Sequence, residues 1–217
     1  MAFDVSPPRD CAKCPRLAAF RAANRAQYPD FANAPVESLG SVDAPLLIVG
    51  LAPGLKGANR TGRPFTGDYA GDLLYATLGE LGLARGTYDR RPDDGLELVG
   101  CAILNAVRCV PPQNKPTPAE ITNCRAYLRQ ALDRLTQLRG VVALGRIAHE
   151  SLLRALDLRL APYPFAHGAR HDLGAGRPKL FDTYHCSRYN TNTGVLTPAM
   201  FRDVLRAARD GTASGAV

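Results

Sequence analysis

The chain has 217 residues, of which 46% are hydrophobic and 22% are charged, and its formal net charge is +7. These proportions are ordinary for a folded domain and exclude a disordered or fibrous chain. The apolar runs fall far short of the roughly 18 residues that a membrane-spanning helix needs, and residues 1–10 do not form a basic-then-apolar leader. We therefore expect one cytoplasmic domain over residues 1–209, a monomer without a membrane partner, and a disordered tail at 210–217.

Apolar runs and helical spacings alternate along the chain. Strands are predicted by the apolar runs at 42–54, 96–107, 141–144 and 179–184, and helices by the patterns at 68–83, 117–138, 146–158 and 197–208. The helix start at Thr117 is especially well marked, because Pro118 takes the first helical position and Glu120 completes a capping box. Such alternation predicts an α/β fold with a mainly parallel sheet, covered by helices on both faces, and ligands at the carboxyl ends of the strands.

Four of the six cysteines are candidate metal ligands. Cys11 and Cys14 form a Cys-x2-Cys pair, whereas Cys109 and Cys124 flank a proline-rich segment. Thiolate sets of this kind hold zinc or an iron-sulfur cluster, and this spacing favours a cluster because it matches neither a zinc ribbon nor a zinc finger. The alternative is that Cys11 and Cys14 are incidental and that Cys124 is a small hydrophobic residue on its helix. Packing is the role that we expect for the remaining two, Cys101 and Cys186.

Four short segments carry the more specific signal: residues 50–54 (GLAPG), 59–68 (NRTGRPFTGD), 108–118 (RCVPPQNKPTP) and 185–190 (HCSRYN). Each is weak alone, but in this order, with the spaced cysteines, the chain resembles the family 5 uracil-DNA glycosylases. The resemblance covers the chain from Cys11 to about Leu205. It implies a three-layer αβα fold and hydrolysis of the N-glycosidic bond to uracil in DNA, which leaves an abasic site. It also implies a 4Fe-4S cluster on Cys11, Cys14, Cys109 and Cys124.

A glycosylase that flips its target nucleotide needs a pocket with a stacking ring and polar groups for the base edge. Phe65 matches the stacking phenylalanine of the family. The amide of Asn105 can donate to O4 and accept from N3–H of uracil, although this asparagine is typical of the sister family 4, and many family 5 members have a small residue there. Asn114 matches a family 5 pocket position, so either Asn105 or Asn114 recognises the base. The first loop is expected to complete the pocket with Gly50, Leu51, Ala52, Pro53 and Gly54.

Two residues are assigned to the chemistry. Leu51 stands where families 1 and 4 carry an acidic or polar residue, so the first loop cannot supply a carboxylate that activates water. Asp68 matches the family aspartate with this task and lies at a predicted helix N-terminus, where the dipole favours its ionised form; a plain N-cap is the alternative. His185 matches the motif histidine that contacts O2 of the departing base, where a neutral donor stabilises the uracil anion. The other histidines lack this context: His149, His167 and His171.

The positive charge, carried mostly by arginine, favours DNA as the partner. Candidate contacts to phosphates and to the gap left by the flipped base flank the pocket loops: Lys56, Arg60, Arg63, Lys115, Ser187, Arg188, Tyr189 and Asn190. Two other interpretations stay open. One is a family 4 enzyme, favoured by Asn105 and opposed by Leu51, and the other is a non-catalytic nucleic-acid-binding module held by zinc. The sequence also leaves open whether hypoxanthine and other deaminated bases are removed.

Overall fold

The computed structural model describes residues 5–213. The helices are α1 (Pro15–Gln27), α2 (Ala58–Thr61), α3 (Tyr69–Glu80), α4 (Pro118–Arg134), α5 (Arg146–Ala155), α6 (Arg188–Asn192) and α7 (Pro198–Ala213). The strands are β1 (Leu39–Gly40), β2 (Leu46–Gly50), β3 (Ala84–Arg85), β4 (Glu97–Leu98), β5 (Cys101–Asn105), β6 (Gly140–Leu144), β7 (Arg170–His171) and β8 (Lys179–Thr183). Over this part of the chain, none of the helices combines the length and apolar character needed to cross a bilayer.

The main sheet has six strands in the order β1-β5-β2-β6-β8-β7. The four central strands pair in parallel, whereas β1 and β7 pair antiparallel at the two edges. Every residue of β2, β5 and β6 is buried, as expected for parallel strands covered on both faces. The predicted mainly parallel sheet is confirmed. The two-residue edge strands are too short to leave a sequence pattern.

Helices cover both faces of this sheet. Leu46 and Ile48 of β2 pack into a core cluster with residues of α3 and α7, whereas the alternate residues Leu47 and Val49 pack into a cluster with residues of α4 and α5. This division follows from the two-residue repeat of a strand, which points successive side chains to opposite faces. Each of these side chains, fully buried, stabilises the fold by about 1.5–3 kcal/mol. The three-layer αβα architecture is therefore confirmed.

The sequence predicts some helix ends more accurately than others. The capping box of α4 is present, since Thr117 Oγ1 accepts a hydrogen bond from Glu120 N and Glu120 Oε2 accepts one from Thr117 N. In contrast, α7 extends to Ala213, so the prediction of a disordered tail is wrong for residues 210–213. Tertiary contacts hold this last turn, because Thr212 is buried and its backbone oxygen accepts from Arg139. The rest of the predicted tail, residues 214–217, lies outside the described residues.

Candidate active site and cysteine cavity

A cleft of about 600 Å³ opens beyond the carboxyl ends of β2 and β8. Parallel strands bring the loops that follow them to one edge of the sheet, which explains why distant motifs meet here. All four motif segments contribute to the wall: Leu51, Ala52, Gly54, Lys56, Gly67, Asp68, Tyr69, Ala70, Asn114, His185, Ser187 and Arg188. The two residues assigned to chemistry, Asp68 and His185, therefore share one cleft.

Gly50, Phe65 and Asn105 pack together where β2 and β5 end. Phe65 is 6% exposed and Asn105 is 4% exposed. A Cβ at Gly50 would clash with both the Phe65 ring and Asn105 Oδ1, so only glycine permits this packing. Within the described residues, buried Asn105 Oδ1 has no hydrogen-bond partner. An unpaired buried acceptor costs about 1–3 kcal/mol, so this oxygen is available to accept a hydrogen bond from a ligand.

Asp68 is the N-cap residue of α3, where its side chain accepts a hydrogen bond from Gly71 N at 3.2 Å. Its carboxylate also lies so close to Gly57 that a Cβ there would clash with Oδ2. Burial raises the pKa of Asp68 above its usual value, and this effect outweighs the hydrogen bonds from the helix N-terminus, which lower the pKa. The carboxylate is thus partly desolvated, as a general base at neutral pH requires.

His185 follows β8 and lines the cleft together with residues of the first loop. Its backbone oxygen accepts a hydrogen bond from Asn190 Nδ2 at 2.8 Å, and its ring lies 6.1 Å from the Phe65 ring with an interplanar angle of 29°. Burial lowers the pKa of His185 to about 4, so the imidazole is neutral at neutral pH. Neither ring nitrogen forms a hydrogen bond with any residue between 5 and 213. One nitrogen is therefore available to donate to a ligand.

Arg63 is buried, and the prediction that it contacts DNA is wrong. Its side chain is 7% exposed and pairs with Asp94 through two hydrogen bonds of 2.8 Å. Arg63 Nε also donates to Thr66 Oγ1 at 2.7 Å, and the guanidinium lies over the rings of Tyr75 and Tyr88. The planar fork of arginine suits this bidentate, stacked environment. We call these five residues the Arg63 corner: Arg63, Thr66, Tyr75, Tyr88 and Asp94.

The Arg63 corner holds the turn that carries Phe65. Tyr88 Oη donates to Phe65 O at 3.2 Å and accepts from Gly67 N at 3.3 Å, while Tyr75 Oη donates to Pro64 O at 2.6 Å. Phe65 has a φ of 52°, in the left-handed region, which costs on the order of 1–3 kcal/mol for a bulky residue. These contacts therefore stabilise a strained backbone next to Asp68. Sequence reasoning missed both tyrosines and Asp94, which belong to no motif.

The other predicted DNA contacts fall into two groups. Lys56, Ser187 and Arg188 lie in the cleft wall, and the Arg188 guanidinium lies 5.4 Å from the centre of the Tyr69 ring. Ser187 caps α6, and Asn190 donates to the backbone of the loop, so both also have structural contacts. The remaining three are exposed but do not line the cleft: Arg60, Lys115 and Tyr189.

The four candidate ligand cysteines line one small cavity, whose wall also contains Leu17, Val107 and Tyr127: Cys11, Cys14, Cys109 and Cys124. The first pair is carried by the segment that enters α1, and Cys124 lies on α4. Neither Cys101 nor Cys186 lines this cavity. The fold therefore brings together the set that the spacing predicts and leaves out the two cysteines that were expected to pack.

Hydrogen-bond direction separates the two groups of cysteines. Sulfurs of the cavity meet donors: Arg21 Nη1 at Cys109, Asn123 Nδ2 at Cys14 and Arg108 N at Cys124, with Tyr127 Oη 3.9 Å from Cys11. In contrast, Cys101 and Cys186 donate, to Leu83 O and Ala70 O respectively. Donors directed at sulfur suit thiolate ligands, whereas a sulfur that donates is a protonated thiol.

The spread of the cavity sulfurs tests which metal group they fit. Among the described residues, no three cysteine sulfurs all lie within 4.8 Å of one another. A tetrahedral zinc ion with bonds of about 2.3 Å would draw its thiolates to about 3.8 Å apart. This spacing is wider than one zinc ion requires, and four thiolates that line one cavity fit an iron-sulfur cluster.

Comparisons with known proteins identify the family of the chain. The family model of the Uracil DNA glycosylase superfamily matches residues 37–209. A type-5 uracil-DNA glycosylase of Thermus thermophilus is 46% identical over 204 residues, or 92% of each chain. A type-5 enzyme of Pyrobaculum aerophilum is 39% identical over 92% of this chain and 88% of its own. A type-4 uracil-DNA glycosylase of Archaeoglobus fulgidus is 31% identical over 69% of each chain. This chain belongs to the uracil DNA glycosylase superfamily.

Proposed function

We propose that the chain is a DNA repair enzyme that hydrolyses the N-glycosidic bond of uracil in DNA and leaves an abasic site. The observation that carries this proposal is the convergence of all four motif segments on one cleft, with Asp68 and His185 in its wall. The type-5 relatives match more of this chain, at higher identity, than the type-4 relative does. Leu51, which removes the carboxylate of the first loop, also favours the type-5 assignment.

The flipped base would lie between Phe65 and the polar groups of the cleft. The Phe65 ring supplies stacking, which is worth about 1–3 kcal/mol per base. Asn105 is the better candidate for base recognition because its buried Oδ1 has no partner within residues 5–213. This oxygen would accept from uracil N3–H, and the amide nitrogen would donate to O4, a pattern that cytosine cannot match. Asn114 is exposed in the cleft wall and would contact the substrate at the mouth.

Hydrolysis would proceed through a sugar with oxocarbenium character. Ionised Asp68 orients a water molecule and accepts its proton as the oxygen bonds to C1′ of the deoxyribose. The C1′–N1 bond breaks, and its electron pair remains on the uracil. Neutral His185 donates a hydrogen bond to O2 of the departing base, where the negative charge develops. One such donor is typically worth about 3–4 kcal/mol, and a positioned general base contributes about 10²- to 10⁴-fold in rate.

Cys11, Cys14, Cys109 and Cys124 would hold a 4Fe-4S cluster. The cluster would supply a covalent cross-link between the segment before α1, the loop after β5 and helix α4. No step of the hydrolysis requires it. Its support is the open spacing of the four sulfurs and the donors directed at them.

Iron analysis tests the cluster directly. Anaerobically purified protein should be brown and contain iron with acid-labile sulfide. Cys124→Ser should lose the colour and the iron, whereas Cys101→Ser, at a position that is also buried, should keep both. Zinc in place of iron, or bleaching by the Cys101 change, would contradict the ligand set.

The rim of the cleft would bind the DNA backbone. Lys56, Arg60, Lys115 and Arg188 supply positive charge, while Ser187, Tyr189 and Asn190 belong to the loop that would fill the gap left by the flipped nucleotide. Arginine and lysine side chains of this kind release counterions from phosphates when they bind. We therefore expect affinity for DNA to fall steeply with salt.

The decisive experiment is a cleavage assay on matched oligonucleotides that contain uracil, hypoxanthine or thymine at one position, followed by alkaline cleavage of abasic sites. Uracil should be removed and thymine retained. Removal of hypoxanthine in addition would support the type-5 assignment, whereas strict uracil specificity would favour the type-4 alternative. Retention of uracil under conditions in which the oligonucleotide binds would overturn the proposed function.

A further inference from the structure

Three side chains converge at a second place in the fold, and none of them lines the cleft. His149 lies on α5, His171 on β7 and Asp182 on β8, and the ligand atoms of all three lie within 4.8 Å of one another. The side chains of His149 and Asp182 are 2% and 0% exposed, and that of His171 is 11% exposed. Phe165 packs on the His149 ring and Tyr163 on the His171 ring, and both histidines lie within hydrogen-bond distance of Asp182.

The hydrogen-bond geometry of His149 requires a proton or a metal ion between its Nδ1 and Asp182. His149 Nε2 lies 2.9 Å from the backbone oxygen of Tyr163, and a carbonyl oxygen only accepts, so Nε2 carries a proton. In a neutral ring, Nδ1 then presents its lone pair to Asp182 Oδ1 at 2.8 Å. An ionised carboxylate also offers only lone pairs. A positive charge must lie between these two atoms, either as a proton or as a metal ion.

We propose that His149, His171 and Asp182 form a binding site for one divalent transition-metal ion of the zinc type. Imidazole nitrogen and carboxylate oxygen are ligands that zinc takes readily. A metal-ligating histidine almost always donates its other ring N–H to a carbonyl or carboxylate, which is the arrangement of His149 with Tyr163. One ion also accounts for both histidines at once, because His171 Nε2 lies 3.1 Å from the other carboxylate oxygen, Oδ2. Zinc takes four ligands, so water would complete the set.

The site has an entry path and a structural consequence. The His171 side chain is 11% exposed, so an ion can reach the buried pair past this residue. The segment between α5 and β7 is already bonded to β8, since Gly168 N donates to Asp182 O and Asp182 N donates to Ala169 O. A bound ion would fix this segment, α5 and β8 to one another close to the strand end that carries His185.

Metal analysis of the cluster-containing full chain tests the site without reference to cleavage. The protein is treated with a mild chelator that leaves the iron in place, dialysed against zinc chloride and then against metal-free buffer. About one zinc per chain should remain beside the iron, and zinc should raise the melting temperature. His171→Asn, at the most exposed of the three positions, should lose both effects. His167→Asn is the matched control, because His167 bonds Thr183 and lies outside the trio.

Each alternative outcome is decisive. Zinc that survives His171→Asn would be bound elsewhere and would overturn the proposal. If the wild-type chain retains no zinc, the metal site is wrong, and ¹⁵N NMR at neutral pH should then show protons on both ring nitrogens of His149. His149→Asn is not needed for the test, since this buried side chain is also required for packing. Iron content measured on each sample verifies that the cysteine cavity is intact.

Discussion

The two walls of the cleft are held by very different contacts. The fixed wall, residues 63–68, is held by the buried ion pair of Arg63 with Asp94 and by the hydroxyls of Tyr75 and Tyr88. The exposed wall, residues 187–192, is mainly the short helix α6, in which no residue is buried, and its Tyr189 is 74% exposed. Segments with few buried contacts open at low free energy, so the two walls differ in rigidity.

This difference matches the task proposed for each wall. The fixed wall carries Phe65 and Asp68, whose geometry relative to the reacting bond must be accurate, because small displacements of catalytic groups greatly reduce the rate. The exposed wall carries Arg188 and Tyr189, which would meet a DNA backbone of any sequence. Changes to the fixed wall should therefore alter chemistry and stability, and changes to the exposed wall should alter DNA binding alone.

The largest effect is expected for Asp68→Asn. Asparagine has nearly the same size but cannot accept a proton from water, so the single-turnover rate on uracil-containing DNA should fall about 10²- to 10⁴-fold while DNA binding is retained. Asp72→Asn is the control, since Asp72 lies one turn away on the same helix and pairs with Arg90. Near-normal cleavage by Asp68→Asn would show that another group positions the water.

A break in the ion pair of the fixed wall should destabilise the whole domain. Asp94→Ala leaves the buried guanidinium of Arg63 without its counter-charge, a loss that typically costs about 3–5 kcal/mol, measurable as the free energy of unfolding in urea. Asp93→Ala is the matched control, because the neighbouring Asp93 side chain is 77% exposed and its removal should leave stability unchanged. Equal effects of the two changes would mean that the pair does not support the wall.

The pH profile of cleavage should depend on the same wall. Asp68 must be ionised to accept a proton, and burial raises its pKa above the ordinary 3.8, so the rate should fall tenfold per pH unit below this raised value. His185 remains neutral down to about pH 4 and therefore should not set the upper part of this limb. Asp68→Asn should remove the limb from its residual activity. A limb that persists in this variant would belong to another group.

A smaller effect is expected for Tyr88→Phe. The change removes the hydroxyl that bonds Phe65 O and Gly67 N, a hydrogen-bond loss of about 1 kcal/mol. The same loss in stabilisation of the transition state would lower kcat about fivefold, with little change in KM. Tyr28→Phe should leave both constants unchanged, since no hydrogen bond of the Tyr28 hydroxyl is found within the described residues. A rise in KM alone would indicate that the turn serves binding rather than positioning.

The smallest effect in free energy should come from the exposed wall. Arg188→Glu should lower the slope of log affinity against log salt by about 0.9 for each phosphate that is no longer neutralised and leave stability intact. Arg206→Glu reverses an exposed charge near the start of β8, at the opposite edge of the sheet from the cleft, and should not change the slope. If both reversals change it equally, the basic surface acts through net charge and not through this wall.

Much of this protein was determined by the sequence alone. The buried strands, the capping box at Thr117 and the loops that follow β2 and β8 depend on neighbouring residues, so local patterns predict them well. The four candidate ligand cysteines were also separable from Cys101 and Cys186 by spacing. The three-layer fold followed because alternating strands and helices have few ways to bury both faces of a parallel sheet.

Tertiary structure decided the features that depend on distant residues. Arg63 was predicted to be a DNA contact and is buried, because Asp94 and two tyrosines reach it from segments without a motif. The edge strands, the last turn of α7 and the meeting of His149 with His171 and Asp182 have the same origin. A local pattern fixes which residues can form a strand or a cap. The packing of the whole chain decides which charged side chains are buried and desolvated, since burial is a property of the assembled layers.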